Sequence, residues 1–330
     1  MARIRRSLGI GETVVRTAWG LARVLALAVA LASLAAPALA FHAPWAMVAK
    51  AADTSCGAVC ADPLLRQVNI FGPDDRRLMT LTERDWLAPV GTIGYGDNNS
   101  LGTATIICAH GGPTSDFDVI VTAAHAFYDI QGRLRGRDFY YYAGGPDGER
   151  VRIISFTAGT HDPYNNFHRD WAVAILERKI SQNKGCLRYH SITEDSLEQI
   201  KRDGGHYMVA ALHSKIKLIT VSGYCGPVPK KPGHVGYGND LFFNVDCDFM
   251  KGASGGPMVL AYDDAWYAVA VAVRMVNTMD TKPGDAFDPR FNPNQAVRIA
   301  GRFRQTIEDA SRTGHCHVRI YWPSRLRSGY

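Results

Sequence analysis

Beyond its first forty residues this 330-residue chain has no run apolar enough to cross a bilayer as a helix. It has no basic run except near its end, where "HVRIYWPSRLRSGY" reads as a solvated tail, so nothing marks a nucleic-acid surface. It lacks the two-plus-two Cys/His spacing of a zinc site. No metal or organic cofactor is expected, with calcium left open. There is no internal repeat. Helical periodicity is scarce, which argues against alternating β and α units.

What is present begins with a basic, then apolar, start. "MARIRRSLGI" is followed by "VLALAVALASLAAPALA", which ends in Ala38-Leu39-Ala40. That layout is either a cleaved secretory signal peptide or an uncleaved anchor. The apolar run covers 17 residues, Val24 to Ala40, and contains Pro37. It is short for a span, so cleavage after Ala40 and a secreted or periplasmic product are expected. The formal net charge is +6; residues 1–40 hold five arginines against Glu12, which leaves about +2 for the rest. All seven cysteines, at 56, 60, 108, 186, 225, 247 and 316, lie beyond the signal. In an exported chain they are expected to pair, with one left over. Cys56 and Cys60 could close a local loop, and Cys225 and Cys247 could staple a turn-rich segment.

The rest reads as short strands broken by turn signals. "GTATIIC", "DVIVTAAH", "DFYYYA", "RVRIISF", "WAVAIL", "HYMVAAL", "IKLITVSGY", "DLFFNVD", "GPMVL" and "AWYAVAVAVRMV" are apolar and β-branched or aromatic. They predict an all-β sandwich or barrel. One helix is expected late, over "NQAVRIAGRFRQTIEDAS", where Ala296, Ala300, Phe303, Ile307 and Ala310 form an apolar stripe.

"KGASGGPM", Lys251 to Met258, sits between two strand-like runs. It is either a tight turn or a nucleophile, Ser254, on a glycine-rich turn whose amides approach a reacting carbonyl. A serine nucleophile needs a base, and the base needs a carboxylate to orient it. Among the 11 histidines, His125 ends the apolar run "VIVTAAH" and adjoins small residues. Asp170 immediately precedes the apolar run "WAVAIL". Each residue also has a structural reading: a satisfied core histidine for one, a turn aspartate for the other.

"TAAH" (Thr122–His125), Asp170 before its strand and "GASGGP" (Gly252–Pro257) resemble the trypsin/chymotrypsin superfamily of serine proteases. They occur in the order His, Asp, Ser, at intervals of 45 and 84 positions. "NIFGPDDRRLMTLTERDWLAPVGTI" (Asn69–Ile93) further resembles the start of the bacterial V8-like, glutamyl-endopeptidase-type branch. The resemblance implies two six-stranded antiparallel barrels with a C-terminal helix. It implies Ser254 as nucleophile, His125 as general base and then acid, and Asp170 as orienting carboxylate. The N–H groups of Gly252 and Ser254 would form the oxyanion hole. The implied organisation is a signal peptide (1–40), an extension (41–67), a protease domain (68–312) and a tail (313–330).

The sequence also departs from the trypsins. Ala253 stands where they keep an aspartate, and Ala126 where they keep a cysteine, so Cys108 lacks its familiar partner. Asp248 falls where trypsins bind basic side chains. Arg274, in "VAVRMVN", could pair with Asp248, face an acidic substrate, or be a plain surface arginine. The expected function is a secreted, monomeric serine endopeptidase acting on polypeptides, not an integral membrane protein. The alternative is a catalytically impaired binding protein on the same fold.

Overall fold

The computed structural model describes residues 69–108, 116–276 and 283–319. The expected signal peptide, residues 41–67 with Cys56 and Cys60, and the last eleven residues lie outside that range. In chain order the first half carries β1 (Arg77–Leu78), β2 (Val90–Tyr95), β3 (Asn98–Ile107), β4 (Val119–Thr122), β5 (Phe139–Ala143), β6 (Glu149–Ala158) and β7 (Ala172–Leu176). The second half carries β8 (Arg188–Tyr189), β9 (His206–His213), β10 (Leu218–Val221), β11 (Pro227–Val228), β12 (Phe242–Val245), β13 (Pro257–Tyr262), β14 (Ala265–Met275), β15 (Asn294–Arg298) and β16 (Val318–Arg319).

Strands β2, β3, β4, β7, β6 and β5 pair antiparallel in that order, and β5 returns to β2. This is a closed six-stranded barrel. The second sheet runs β10-β9-β13-β14-β15-β12, again antiparallel. Among the described residues no ladder joins β10 to β12, so this half is a six-stranded half-barrel. Its seam carries the Tyr207–Cys225 bridge and the Cys225–Cys247 disulfide.

Most of these strands are buried on both faces, which explains why they read as runs rather than alternations. In β4, Ile120 fills the first barrel while Val119 and Val121 face a shared core between the halves. Strand β7 repeats this with Ala172, Ala174 and Leu176 inside and Val173 and Ile175 outward. From the other side, Met208, Ala210 and Leu212 of β9 meet the shared core, and Tyr207, Val209 and Ala211 point into the half-barrel.

All ten expected runs contain a strand. The late helix differs. Residues 294–298 form β15, paired with β12 and β14, so Ala296 is a strand residue and Ala300 precedes the helix. Asn294–Arg298 meets two sheet neighbours there, and tertiary pairing overrides the helical spacing. Among the described residues there are four α-helices: α1 (Leu81–Leu87), α2 (Ser181–Lys184), α3 (Glu194–Arg202) and α4 (Gly301–Thr313). Helix α4 buries Phe303, Ile307 and Ala310, stacks Phe303 on Trp171 at 4.8 Å, and ends at the left-handed Gly314. Cys108 is joined to Cys186, and Cys316 is buried and unpaired. Among the described residues no helix is long and apolar enough to cross a membrane.

Truncating Phe303 leaves a cavity against Trp171, beside Asp170. Phe303→Ala is expected to cost about 3–5 kcal/mol in urea unfolding. A loss within about 0.5 kcal/mol, as for surface changes, would contradict this packing.

Candidate active site

Strand β4 ends at Thr122, and a 3-10 turn, Ala124–Ala126, lifts His125 off the barrel. A second such turn, Phe167–Arg169, delivers Asp170 just before β7. Asp170 is 3% exposed. Its two oxygens grip His125 twice: Oδ1 accepts the backbone N–H at 2.9 Å, and Oδ2 meets ring Nδ1 at 2.6 Å. A carboxylate only accepts, so Nδ1 carries the proton and Nε2 keeps its lone pair. Burial pulls the His125 pKa down, but the charge and hydrogen bond of Asp170 outweigh it, so the value is raised above 6.5. The Arg135 charge opposes that rise weakly. Arg135 also donates Nε–H to the His125 carbonyl at 3.2 Å. Its Nη2 reaches the hydroxyl of Tyr164, whose ring lies 6.0 Å from the imidazole.

The glycine-rich turn is held from both halves. Thr103 of β3 donates its N–H to the Ser254 carbonyl at 2.7 Å and its hydroxyl to the Gly252 carbonyl at 2.8 Å. Gly255, at φ +83°, presses against Thr122 and Ala123; a Cβ there would lie 2.3 Å from Thr122 Oγ1 and 2.9 Å from the Ala123 nitrogen. Gly252 has φ +101°. These glycines permit backbone to approach backbone within three residues of His125. Ala253, Gly255 and Gly256 each spend their N–H on a carbonyl. Among the described residues the N–H groups of Gly252 and Ser254 have no acceptor. Those are the two amides expected for an oxyanion hole. Ser254 Oγ likewise makes no hydrogen bond among the described residues, so its link to His125 is not closed. Such bonds are commonly long without substrate.

The two expected specificity residues separate. Asp248 is 6% exposed and accepts N–H groups from Phe71, at 2.8 Å, and Asp75, at 3.4 Å. It holds the N-terminal segment and does not pair with Arg274. Burial, helped by the charges of Asp75 and Asp74 and opposed by those two amides, pushes its pKa up to about 7. Arg274 is exposed, and its guanidinium lies 4.7 Å from the Phe167 ring centre, beside the turn that carries Asp170. Sequence reading missed Thr103, Arg135 and Tyr164. A buried hydroxyl inside "GTATIIC" was the one available signal for Thr103; the other two sit in loops without a pattern.

No protein-family model matches this chain, and no curated protein does. Solved structures do. A Glu endopeptidase in complex with MPD has a TM-score of 0.50 and 14% identity, over 74% of this chain and 99% of that one. The thermostable serine protease AL20 from an extremophilic microorganism follows at 0.48 and 16%, over 69% and 99%. The protease Anisep from Arthrobacter nicotinovorans stands at 0.47 and 13%, over 69% and 97%. The chain therefore has the chymotrypsin-like double-barrel fold, and the expected likeness to the glutamyl-endopeptidase branch holds at the level of fold.

The His125–Asp170 pair makes a direct prediction. The His125 ring should titrate above 6.5 by NMR, and Asp170→Asn should bring it below that value, since burial then acts almost alone. With the folded pKa raised, the pair's contribution to stability is complete below about pH 6.5 and fades as pH rises through the folded value. An unchanged midpoint in Asp170→Asn would refute the pairing.

Proposed function

We propose that this chain is a serine endopeptidase that hydrolyses peptide bonds through an acyl-enzyme, with His125, Asp170 and Ser254 as its triad. One observation carries the reading: a buried carboxylate holds His125 by both its ring and its backbone N–H, and the neighbouring turn leaves two amides, those of Gly252 and Ser254, unspent. Ser254 Oγ attacks the carbonyl carbon while His125 Nε2 takes its proton. The oxyanion that forms is met by the Gly252 and Ser254 N–H groups. The imidazolium, steadied by Asp170, then protonates the leaving amine. Water repeats the sequence in reverse and frees the acid. Ala253 cannot make the ion pair trypsins use on activation, so a zymogen, if formed, is activated by another route. The disulfides Cys108–Cys186 and Cys225–Cys247 favour an oxidising compartment, in keeping with export behind residues 1–40.

Arg274 is proposed to face an acidic substrate side chain. It lies beside the Asp170 turn, and Asp248 is committed to the N-terminal segment. The open Ser254–His125 link favours a second reading, a protease-like binding protein, and one experiment separates the two. A fluorophosphonate probe should label the wild type at Ser254 and leave Ser254→Ala unlabelled, with kcat falling on the order of 10^6-fold. A wild type that resists labelling supports the binding protein.

A peptide library varied at the residue before the cut reads Arg274. Acidic residues should be preferred, and Arg274→Ala should erase a few-fold to about tenfold of that preference. Equal cleavage after every residue type would end the idea of a charged reader.

A further inference from the structure

The hydrogen-bond series of the turn that carries His125 breaks at that residue. The Ala124 carbonyl accepts the N–H groups of Phe127 and Tyr128, at 2.9 and 3.1 Å. The next acceptor in the series is the His125 carbonyl. The N–H that would continue it, that of Asp129, turns away to the Arg133 carbonyl at 2.9 Å. A carbonyl left over at the end of a turn needs a donor from elsewhere. Arg135 supplies it: Nε donates to the His125 carbonyl at 3.2 Å, and no other donor reaches that oxygen among the described residues.

A closed loop brings Arg135 back to this place. Tyr128 bridges to Leu134, Asp129 Oδ1 accepts the N–H groups of Gln131 and Arg133 at 2.9 Å each, and the Arg135 N–H donates to the Phe127 carbonyl at 2.8 Å. The loop that leads to Asp170 is closed as well. The Asp162 carbonyl accepts the Asn166 N–H at 3.0 Å, and its carboxylate accepts the Asn165 side chain at 2.9 and 3.0 Å. The two loops meet twice. Gly132, at φ +72°, has the His161 carbonyl 3.0 Å from where a Cβ would be. Arg135 Nη2 donates to the Tyr164 hydroxyl at 3.2 Å. One guanidinium thus joins the loop that follows the base to the loop that delivers its carboxylate.

The charge of this side chain is a separate matter. Arg135 is half-buried, and no carboxylate pairs with it among the described residues. The carboxylates of its own loop and of the neighbouring one are engaged, Asp129 by Arg133 and Asp162 by Asn165. Two charges act on the imidazole, those of Asp170 and Arg135, and they act in opposite directions. Tyr164 brings its ring to 6.0 Å. A base held only by a buried carboxylate would stay protonated further up the pH scale, and a protonated imidazole cannot accept from a serine. A fixed cation nearby limits that, and a guanidinium stays charged throughout the range.

We infer that Arg135 is a positioning residue for the reaction, acting on His125 through the carbonyl it holds and the charge it brings near the ring. Tyr164 is its far anchor. The inference rests on the triad reading of His125, Asp170 and Ser254 and extends it to two residues that lie in loops outside the three motifs.

The rate at which a fluorophosphonate labels Ser254 in the full chain, followed across the acid limb of its pH profile, tests this without any peptide preference. Arg135→Gln removes the charge and cannot bridge both acceptors. Its pH midpoint should rise by about half a pH unit, the effect of one charge several ångström away in a water-like medium, and its plateau rate should fall about tenfold. Arg135→Lys keeps the charge and loses the fork, so its pH midpoint should stay near that of the wild type while the plateau falls. Tyr164→Phe, at an exposed position, keeps the ring and removes the far anchor; its plateau should fall a few-fold with the pH midpoint unmoved. An Arg135→Gln pH midpoint equal to that of the wild type overturns the inference, whatever its plateau, because lost packing alone would not move it. A wild type that resists labelling counts against the triad reading instead. NMR titration of the His125 ring then decides the Arg135 contact by itself, and no rise in Arg135→Gln ends it.

Discussion

One threonine in the middle of a β-strand ties the two halves together at the point where their chemistry must meet. Thr103 is fully buried, and each of its polar groups is used. Its N–H holds the Ser254 carbonyl, and its hydroxyl donates to Gly252 and accepts from the N–H of Leu212 in β9. Its carbonyl accepts from Thr122, three residues before His125. Each buried hydrogen bond contributes about 1 kcal/mol, but leaving one of these groups unmet would cost about 1–3 kcal/mol. The net energy matters less than the direction it imposes. Four bonds converge on one residue, so the serine turn cannot drift relative to the end of β4 without breaking several together.

The glycines follow from the same constraint. Backbone of one half touches backbone of the other, and Gly255 has a Thr103 carbonyl within 2.2 Å of where a Cβ would be. That is why the turn is rich in glycine. The density was visible in "KGASGGPM", but its cause lay in a strand about 150 positions earlier, which local reading does not reach. The carboxylate story is similar. "HRDWAVAIL" offered Asp170 as a candidate, and only the folded chain shows both of its oxygens on one histidine.

Much of the fold was legible because strands buried on two faces announce themselves as apolar runs, as β4 and β7 do. What was lost is where tertiary contact decides. Ala296 has the spacing of a helix and the neighbours of a strand. Helix α3 carries only Leu197 and Ile200 on its buried side, too few to stand out among its charges. The closing of one sheet and not the other leaves no mark in composition. Asp248 shows the limit of arguing from position. It occupies the place of a specificity residue, yet its carboxylate is taken up by Phe71 and Asp75 of its own chain.

That engagement has a consequence for how short the polypeptide can become. Asn69 is fastened by its side chain to the carbonyls of Val276 and Asn292 and by its own carbonyl to Phe249 and Asn294. Trimming up to this residue would leave those fastenings in place. Erosion by an aminopeptidase past Phe71 would strip Asp248 of its closer donor and strand a carboxylate in the interior, at a cost that grows with every donor removed. Shortening from the N-terminal side thus has a floor, set by the short segment from Asn69 to Phe71.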